Sequence, residues 1–310
     1  MAEHTVSAGY AMALVDLALT KGADQDRLLS RAGIALGDLA HPDNRLQFER
    51  FKALMGAAKD LCDDPALALH FGETSLFVEM SIVGLIAHAA ETMAEAFAQM
   101  NRYARLVIEV QGHESGDRFA IVQGHGEVWI EDRRRNPNEF PALTESTWAR
   151  FVCEYARYFP KRPPFVKAVH VTHGEPAYRA EYDRILQAPV VFGSDRNALL
   201  IDESWLTQRV GPANHYVFGI FSERAEALLE SLETSRTVRG RVEALLIPIL
   251  HTGDTGMERA AKKIGLSRAT LYRRLKAEGI SYDRLLDNLR HRMALHYLEG
   301  KKGTRRSWPW

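Results

Sequence analysis

Six residues near the end of the chain, Arg268, Ala269, Tyr272, Arg273, Arg274 and Lys276, have the types and spacing to meet a nucleic acid. On a helix, Ala269, Tyr272, Arg273 and Lys276 share one outward side, with Arg268 beside it. Cationic groups neutralise phosphates, an arginine fork can take O6 and N7 of guanine, and small or aromatic side chains can lie against base edges. Ala269, Tyr272 and Arg273 are therefore expected at base edges, with Arg273 the candidate for guanine. Arg268, Arg274 and Lys276 are expected at phosphates. Catalysis finds no comparable support: the chain has no G-x-S-x-G elbow, no phosphate-cradling P-loop and no H-E-x-x-H helix. His170 and His173 are three apart, and on a strand residues so spaced point to opposite faces and do not share an ion easily. His113 and His125 could approach across a hairpin but lack a third ligand. Histidines in structural or surface roles are expected, with no catalytic residue, metal site or cofactor, and the chain is not read as an enzyme.

Two helices and a tight turn must hold the cationic face outward. In the run MERAAKKIGLSRATLYRRL, Ala260, Ala261 and Ile264 recur at helical spacing and give the first helix one apolar side. Gly265 supplies the backbone freedom of a sharp turn. Ser267 is the expected N-cap of the second helix, and Leu271 and Leu275, four apart, form its buried side. Thr255 with Glu258 matches a capping box for the first helix. Ser281 is expected to cap a further helix lined by Leu285, Leu289, Met293 and Tyr297.

A basic surface hairpin would show the same spacing, and charge separates the two readings. The chain is neutral, with 40 basic and 40 acidic residues. From Thr237 onward, however, 16 Lys and Arg stand against 7 Asp and Glu, and before it 24 stand against 33. The net charges are +9 and −9, so a polyanion is drawn to the last quarter and weakly repelled by the rest.

Length and composition bound the remainder. A chain of 310 residues, 46% hydrophobic and 26% charged, suits two soluble domains. Cys62 and Cys153 form no disulfide framework, the apolar stretch 10–19 lacks a basic leader, and no run is long enough to span a membrane. A reduced, cytoplasmic protein with no membrane partner is expected.

Residues 6–20, 24–32, 47–61, 65–72 and 81–104 read as helices. The period then changes to two over 106–111, 118–123 and 127–131, which read as antiparallel strands separated by Gly-containing turns. A polar loop at 132–141 carries Arg133, Arg134 and Arg135, read as solvated surface. A helix over 142–158, a strand over 165–172, a short helix over 178–186, strands over 190–192 and 198–201, and a helix over 221–232 complete this part. The mixture predicts an α+β front domain, an antiparallel sheet with helices, followed by an all-α helix-turn-helix domain. The boundary is set at the polar residues 233–236. The front domain thus spans 1–232, with its core at about 24–220; if it is a ligand-sensing and dimerisation domain, its pocket should be apolar with a few convergent polar groups, and a homodimer is a candidate assembly. Phe71, Met80, His88, Tyr103, Trp129, Trp148 and Tyr155 are the candidates to line an apolar ligand pocket.

Residues 238–298 resemble the first half of an AraC/XylS-type DNA-binding domain. The A-x-x-x-G-L-S turn at Ala261–Ser267, T-L-Y-R-R-L-K, E-G-I-S-Y and the long helix after it fall in order. Residues 24–232 resemble, more loosely, the arabinose-binding-like regulatory domain of one branch of that family. The resemblance implies double-stranded DNA and a small-molecule effector as partners. It also implies a second helix-turn-helix unit, yet after 237–298 only the irregular tail 299–310 follows, ending Trp308-Pro309-Trp310. The expectation is therefore a truncated DNA-binding domain and a transcription regulator with impaired DNA binding. The alternative is an effector-binding or heterodimerising partner that no longer occupies an operator.

Overall fold

The structure, a computed structural model, describes residues 4–112, 117–124, 126–211, 215–253, 255–291 and 293. The chain divides into two compact units, Met1–Glu226 and Ala227–Trp310.

The front unit is mostly helical with two small sheets. Strand β1 (Thr5–Ser7) leads into α1 (Ala8–Thr20), whose N-cap Ser7 accepts the Tyr10 N–H at 3.3 Å. Helix α2 (Gln25–Ala32) is capped by Asp24 and stopped by Gly33. Strand β2 (Arg45–Gln47) pairs antiparallel with β1 and runs into α3 (Phe48–Leu61). Helices α4 (Leu67–Thr74), α5 (Phe77–Met80), α6 (Ile82–Ala89) and α7 (Met93–Val107) follow. The single helix expected over 81–104 is thus two. Thr92 restarts the chain by accepting the Glu95 N–H at 3.2 Å, while the Glu95 carboxylate accepts the Glu91 N–H at 2.7 Å.

The main sheet holds β3 (Phe119–Gly124), β4 (Glu127–Asp132), β5 (Val166–His170), β6 (Val190–Val191) and β7 (Ala198–Ile201), in the order β3-β4-β7-β5-β6. Helix α8 (Pro141–Tyr158) lies between β4 and β5 in sequence, and α9 (Arg179–Leu186) between β5 and β6. Two expectations need correction. The sheet is not purely antiparallel, because β5 and β6, joined through α9, run parallel. Residues 106–111 do not form a ladder strand: α7 keeps Leu106 and Val107 on its buried side, and beyond it only Ile108 bridges to Val6.

The core of this unit collects under α8, where Trp148, Val152 and Tyr155 meet Phe119, Ile130, Val169 and Leu199 of the sheet. On the other side of α8, α4 crosses at Gly72. A Cβ there would stand 2.4 Å from the Ser146 carbonyl oxygen and 2.6 Å from the Ala149 methyl group. Gly84 likewise brings α6 against α5, where a Cβ would come within 2.1 Å of the Phe77 carbonyl oxygen. The arginine run is also not all surface. Arg133 and Arg135 are exposed, but Arg134 is buried and donates to Thr144 Oγ1 at 2.7 Å. Buried Asp132 draws it inward by accepting its backbone N–H at 3.1 Å.

Helix α10 (His215–Arg236) spans the boundary between the units, and the polar residues 233–236, at which the boundary was expected, are its last turn. The described part of the second unit is helical: α11 (Val238–Leu246), α12 (Met257–Lys263), α13 (Arg268–Ala277) and α14 (residues 282–291). Tyr297 and the tail 299–310 lie outside the described residues. Among the described residues, no helix is long and apolar enough to cross a membrane.

Candidate nucleic-acid interface and effector cavity

Local signals build the helical pair. Ile264 ends α12, and Gly265 turns the chain at φ +73°, a left-handed conformation costly for residues with a Cβ. The Leu266 N–H closes the turn on the Ala261 carbonyl at 2.9 Å. Ser267 then caps α13, its Oγ accepting the Thr270 N–H at 3.1 Å. Leu271 and Leu275 bury themselves among Val242, Ala260, Ala261, Leu285 and Leu289, which fixes the rotation of α13. Further bonds tie the frame together. Glu278 accepts the N–H groups of Val238 and Arg239 at 2.7 and 2.8 Å, and Arg241 donates to the Ile264 carbonyl at 2.9 Å. Ser281 caps α14 through the Arg284 N–H at 3.3 Å.

With that rotation set, Arg268, Ala269, Tyr272, Arg273, Arg274 and Lys276 are all exposed, Tyr272 at 54%. The four cations make no ion pair with another described residue. An unpaired, outward cationic helix face is what a phosphate backbone and a major groove require. Thr255 differs from its expected role. The N-cap of α12 is Gly256, with no side-chain cap bond. Thr255 is instead buried one residue earlier, its carbonyl accepting the Tyr282 hydroxyl at 2.9 Å.

The front unit contains a cavity of about 150 Å³ between α7 and α8. Its walls are aromatic and aliphatic, with Phe97, Met100, Phe119, Phe151 and Trp205 prominent; Arg118, Thr147, Arg150 and Glu154 supply polar groups. Two of the seven residues expected around a pocket, His88 and Tyr155, line it. The structure places the other five elsewhere. Phe71 packs edge-on against Tyr10 with ring centroids 5.2 Å apart, and Met80 is buried at the end of α5. Trp148 is buried against Phe119 and Phe151. Tyr103 donates its hydroxyl to Glu226 at 2.8 Å. Trp129, on β4, donates to Glu127 at 2.9 Å and carries the Arg196 guanidinium 4.2 Å from its ring centroid. Sequence reasoning missed Arg118, Thr147, Arg150, Glu154 and Trp205.

The chemistry of these polar groups is specific. Arg118 and Asp132 form a buried pair at 2.9 Å, and Arg118 also donates to Thr147 Oγ1 at 3.3 Å. Burial pushes the Asp132 carboxyl up, but the charges of Arg118 and Arg134 and their hydrogen bonds outweigh it and hold the group below the usual carboxylate range. Burial pushes the Glu154 carboxyl up, only partly opposed by the bond it accepts from the Phe77 N–H and by the charges of Arg150 and Arg157. Of the histidines weighed as ligands, His170 meets Ser194 Oγ at 3.0 Å and His173 meets the Tyr182 hydroxyl at 3.0 Å. His113 and His125 lie outside the described residues. Cys62 and Cys153 are free thiols, and burial raises Cys153 to about 11.

A family model described as the arabinose-binding domain of AraC transcription regulators, N-terminal, matches residues 22–210, more than half of the chain. The ornithine utilization regulator of Pseudomonas aeruginosa is 25% identical over 302 residues, spanning 94% of this chain and 85% of the relative. Among solved structures, the transcriptional regulator CdpR from Pseudomonas aeruginosa is similar over 88% of this chain and 84% of its own, at 19% identity. The TM-score of that likeness is 0.42.

Proposed function

Because the chain belongs to the AraC transcription regulators with an arabinose-binding N-terminal domain, we propose that it regulates transcription by binding double-stranded DNA through α13, under the control of a small molecule held in the front unit. The observation that carries this reading is the α12–α13 pair. A capped, apolar-packed helix turns four unpaired cations and Tyr272 outward together. Ala269, Tyr272 and Arg273 take the base-edge role, and Arg268, Arg274 and Lys276 the phosphate role. Ser267 and Gly265 set the helix in place. A homodimer is part of the reading: Tyr216 and Ile220, one turn apart on α10, are exposed apolar side chains that pairing would cover. Ornithine, which the relative's name mentions, suits this cavity poorly. Its two amino groups would find one carboxyl, Glu154, among apolar walls and two arginines.

The test is fluorescence anisotropy on fragmented genomic DNA at several salt concentrations, with sequencing of the retained fragments. A recurrent half-site is expected. Arg273→Ala should lose about 1–3 kcal/mol on the preferred sequence and relax base preference. Lys276→Ala should weaken binding to all sequences and reduce the salt slope by about one. Equal losses on every sequence would refute these roles. Weak binding with a steep salt slope and no enriched site would instead make the chain an effector-binding partner protein that does not occupy an operator.

A further inference from the structure

The front unit buries an arginine that makes no ion pair among the described residues. Arg150, on α8, is 6% exposed. Its amino groups donate to the Tyr10 hydroxyl at 3.4 Å and to Ser75 Oγ at 3.0 Å, and its guanidinium lies 5.1 Å from the ring centroids of both Tyr10 and Phe71. Rings and hydroxyls solvate this charge without neutralising it. Its Nε has no hydrogen-bond partner, and Arg150 pairs with no carboxylate among the described residues. Buried charges are normally paired, because an uncompensated one is costly. Arg118 provides the contrast within the same cavity, since Asp132 neutralises it at 2.9 Å. One cation of the lining is satisfied internally, and the other is left over.

The surroundings define what could complete it. Glu154, one turn further along α8, is engaged by the Phe77 N–H; the Arg150 charge reaches its carboxyl and lowers its pKa, but the two form no ion pair. The rest of the wall near α7 and α8 is apolar, with Phe97, Met100, Phe151 and Trp205 prominent. Trp205 adds a second buried donor without a partner, its Nε1. An apolar space of this size, about 150 Å³, admits a ring the size of benzene. A guanidinium that lines an apolar space without a carboxylate partner can be completed by a ligand carboxylate through charge-assisted hydrogen bonds.

We propose that this cavity binds a small apolar monocarboxylate, with its carboxylate on Arg150 and its ring or short hydrocarbon chain against Phe97, Met100, Phe151 and Trp205. The assignment deepens the reading of the front unit as the effector-binding part and rests on it. It requires no DNA, so failure of operator binding and failure of this site are separate results.

The experiment is titration calorimetry on the full chain with benzoate, phenylacetate and octanoate, each paired with its neutral amide, and with lysine as a diamino acid. At least one acid should bind at least about tenfold more tightly than its amide, reflecting a charge-assisted bond. Arg150→Gln should erase that preference, with near-UV circular dichroism confirming its fold. Met100→Trp, which fills the cavity, should abolish binding of acid and amide alike. If Arg150→Gln does not fold, the acid–amide comparison in the native chain and the Met100→Trp variant still decide the matter. The proposal is overturned if no acid binds, if amides bind as tightly as acids, if lysine binds best, or if Met100→Trp binds like the native chain.

Discussion

Asp132→Asn should unfold the front unit far more readily than a change of one atom suggests. The Asp132 side chain is 1% exposed and that of Arg118 5%. The carboxylate accepts from Arg118 at 2.9 and 3.4 Å and from the Arg134 backbone N–H at 3.1 Å. Asparagine keeps the volume but removes the charge, and it places an NH₂ group against donors. Two buried guanidiniums then share no anion. Breaking a buried pair from one side costs about 3–5 kcal/mol. With a urea slope of about 1–3 kcal/mol per molar, the midpoint should fall by roughly 1 M or more. Urea titration followed by near-UV circular dichroism, which reports packed Trp148 and Trp205, measures it. Replacing both partners, Arg118→Met with Asp132→Leu, should recover part of the loss. Acid gives an independent check. A carboxyl held below its ordinary value stabilises the fold above its unfolded pKa, near 3.8, and that contribution fades as pH falls through the folded value. The gap between native chain and variant should therefore be constant near neutrality and shrink below about pH 4. A loss under about 1 kcal/mol at pH 7, or a gap that persists in acid, would refute the charge argument.

Three further outcomes follow from local geometry. Gly72→Ala should destabilise the front unit by about 1–3 kcal/mol, because the new methyl meets the Ser146 carbonyl; an unchanged melting temperature would show that the helices part freely. Ser267→Ala should cost the helical unit about 1 kcal/mol, whereas Thr255→Val, which keeps the volume and drops the hydroxyl, should cost less than about half of that. Equal losses in denaturant titrations would restore Thr255 as the cap. Leu271→Ala should remove about 2–5 kcal/mol from the second unit, read as lost hydrogen-exchange protection along α12 and α13; retained protection would show that Leu271 does not hold α13 in place.

The sequence was most legible where a feature is decided within a few residues. Ser267 caps, Gly265 turns, and Leu271 and Leu275 face inward because each depends on neighbours three or four positions away. Thr255 shows the limit of such signals: T-x-x-E fits a capping box, but the helix starts after Gly256 and the threonine is drawn into the core. Leu106, Ile108 and Val110 alternate like a strand, yet the start of that pattern completes the buried side of α7. The parallel pairing of β5 with β6 depends on where α9 returns the chain, which no local period reveals. Arg134 looks like its exposed neighbours until Asp132 and Thr144 are brought beside it. The cavity was hardest to read. His88 and Tyr155 stood out as polar-tipped rings on helices, but Arg150 is distinguished only by the ion pair it does not make in three dimensions, and Trp205 reaches the same wall from far along the chain.

The two glycine crossings turn the walls of the cavity into stiff brackets. At Gly72, α4 and α8 meet with no room for a methyl group, and at Gly84, α5 and α6 do the same. Neither pair can absorb a guest by small internal shifts, since close-packed interfaces jump between arrangements and do not stretch. A molecule that overfills the space would therefore move each of these helix pairs as a unit. One that fits within it leaves both unmoved. Volume, separately from the charge that Arg150 supplies, would then set which carboxylates the cavity admits without moving either pair.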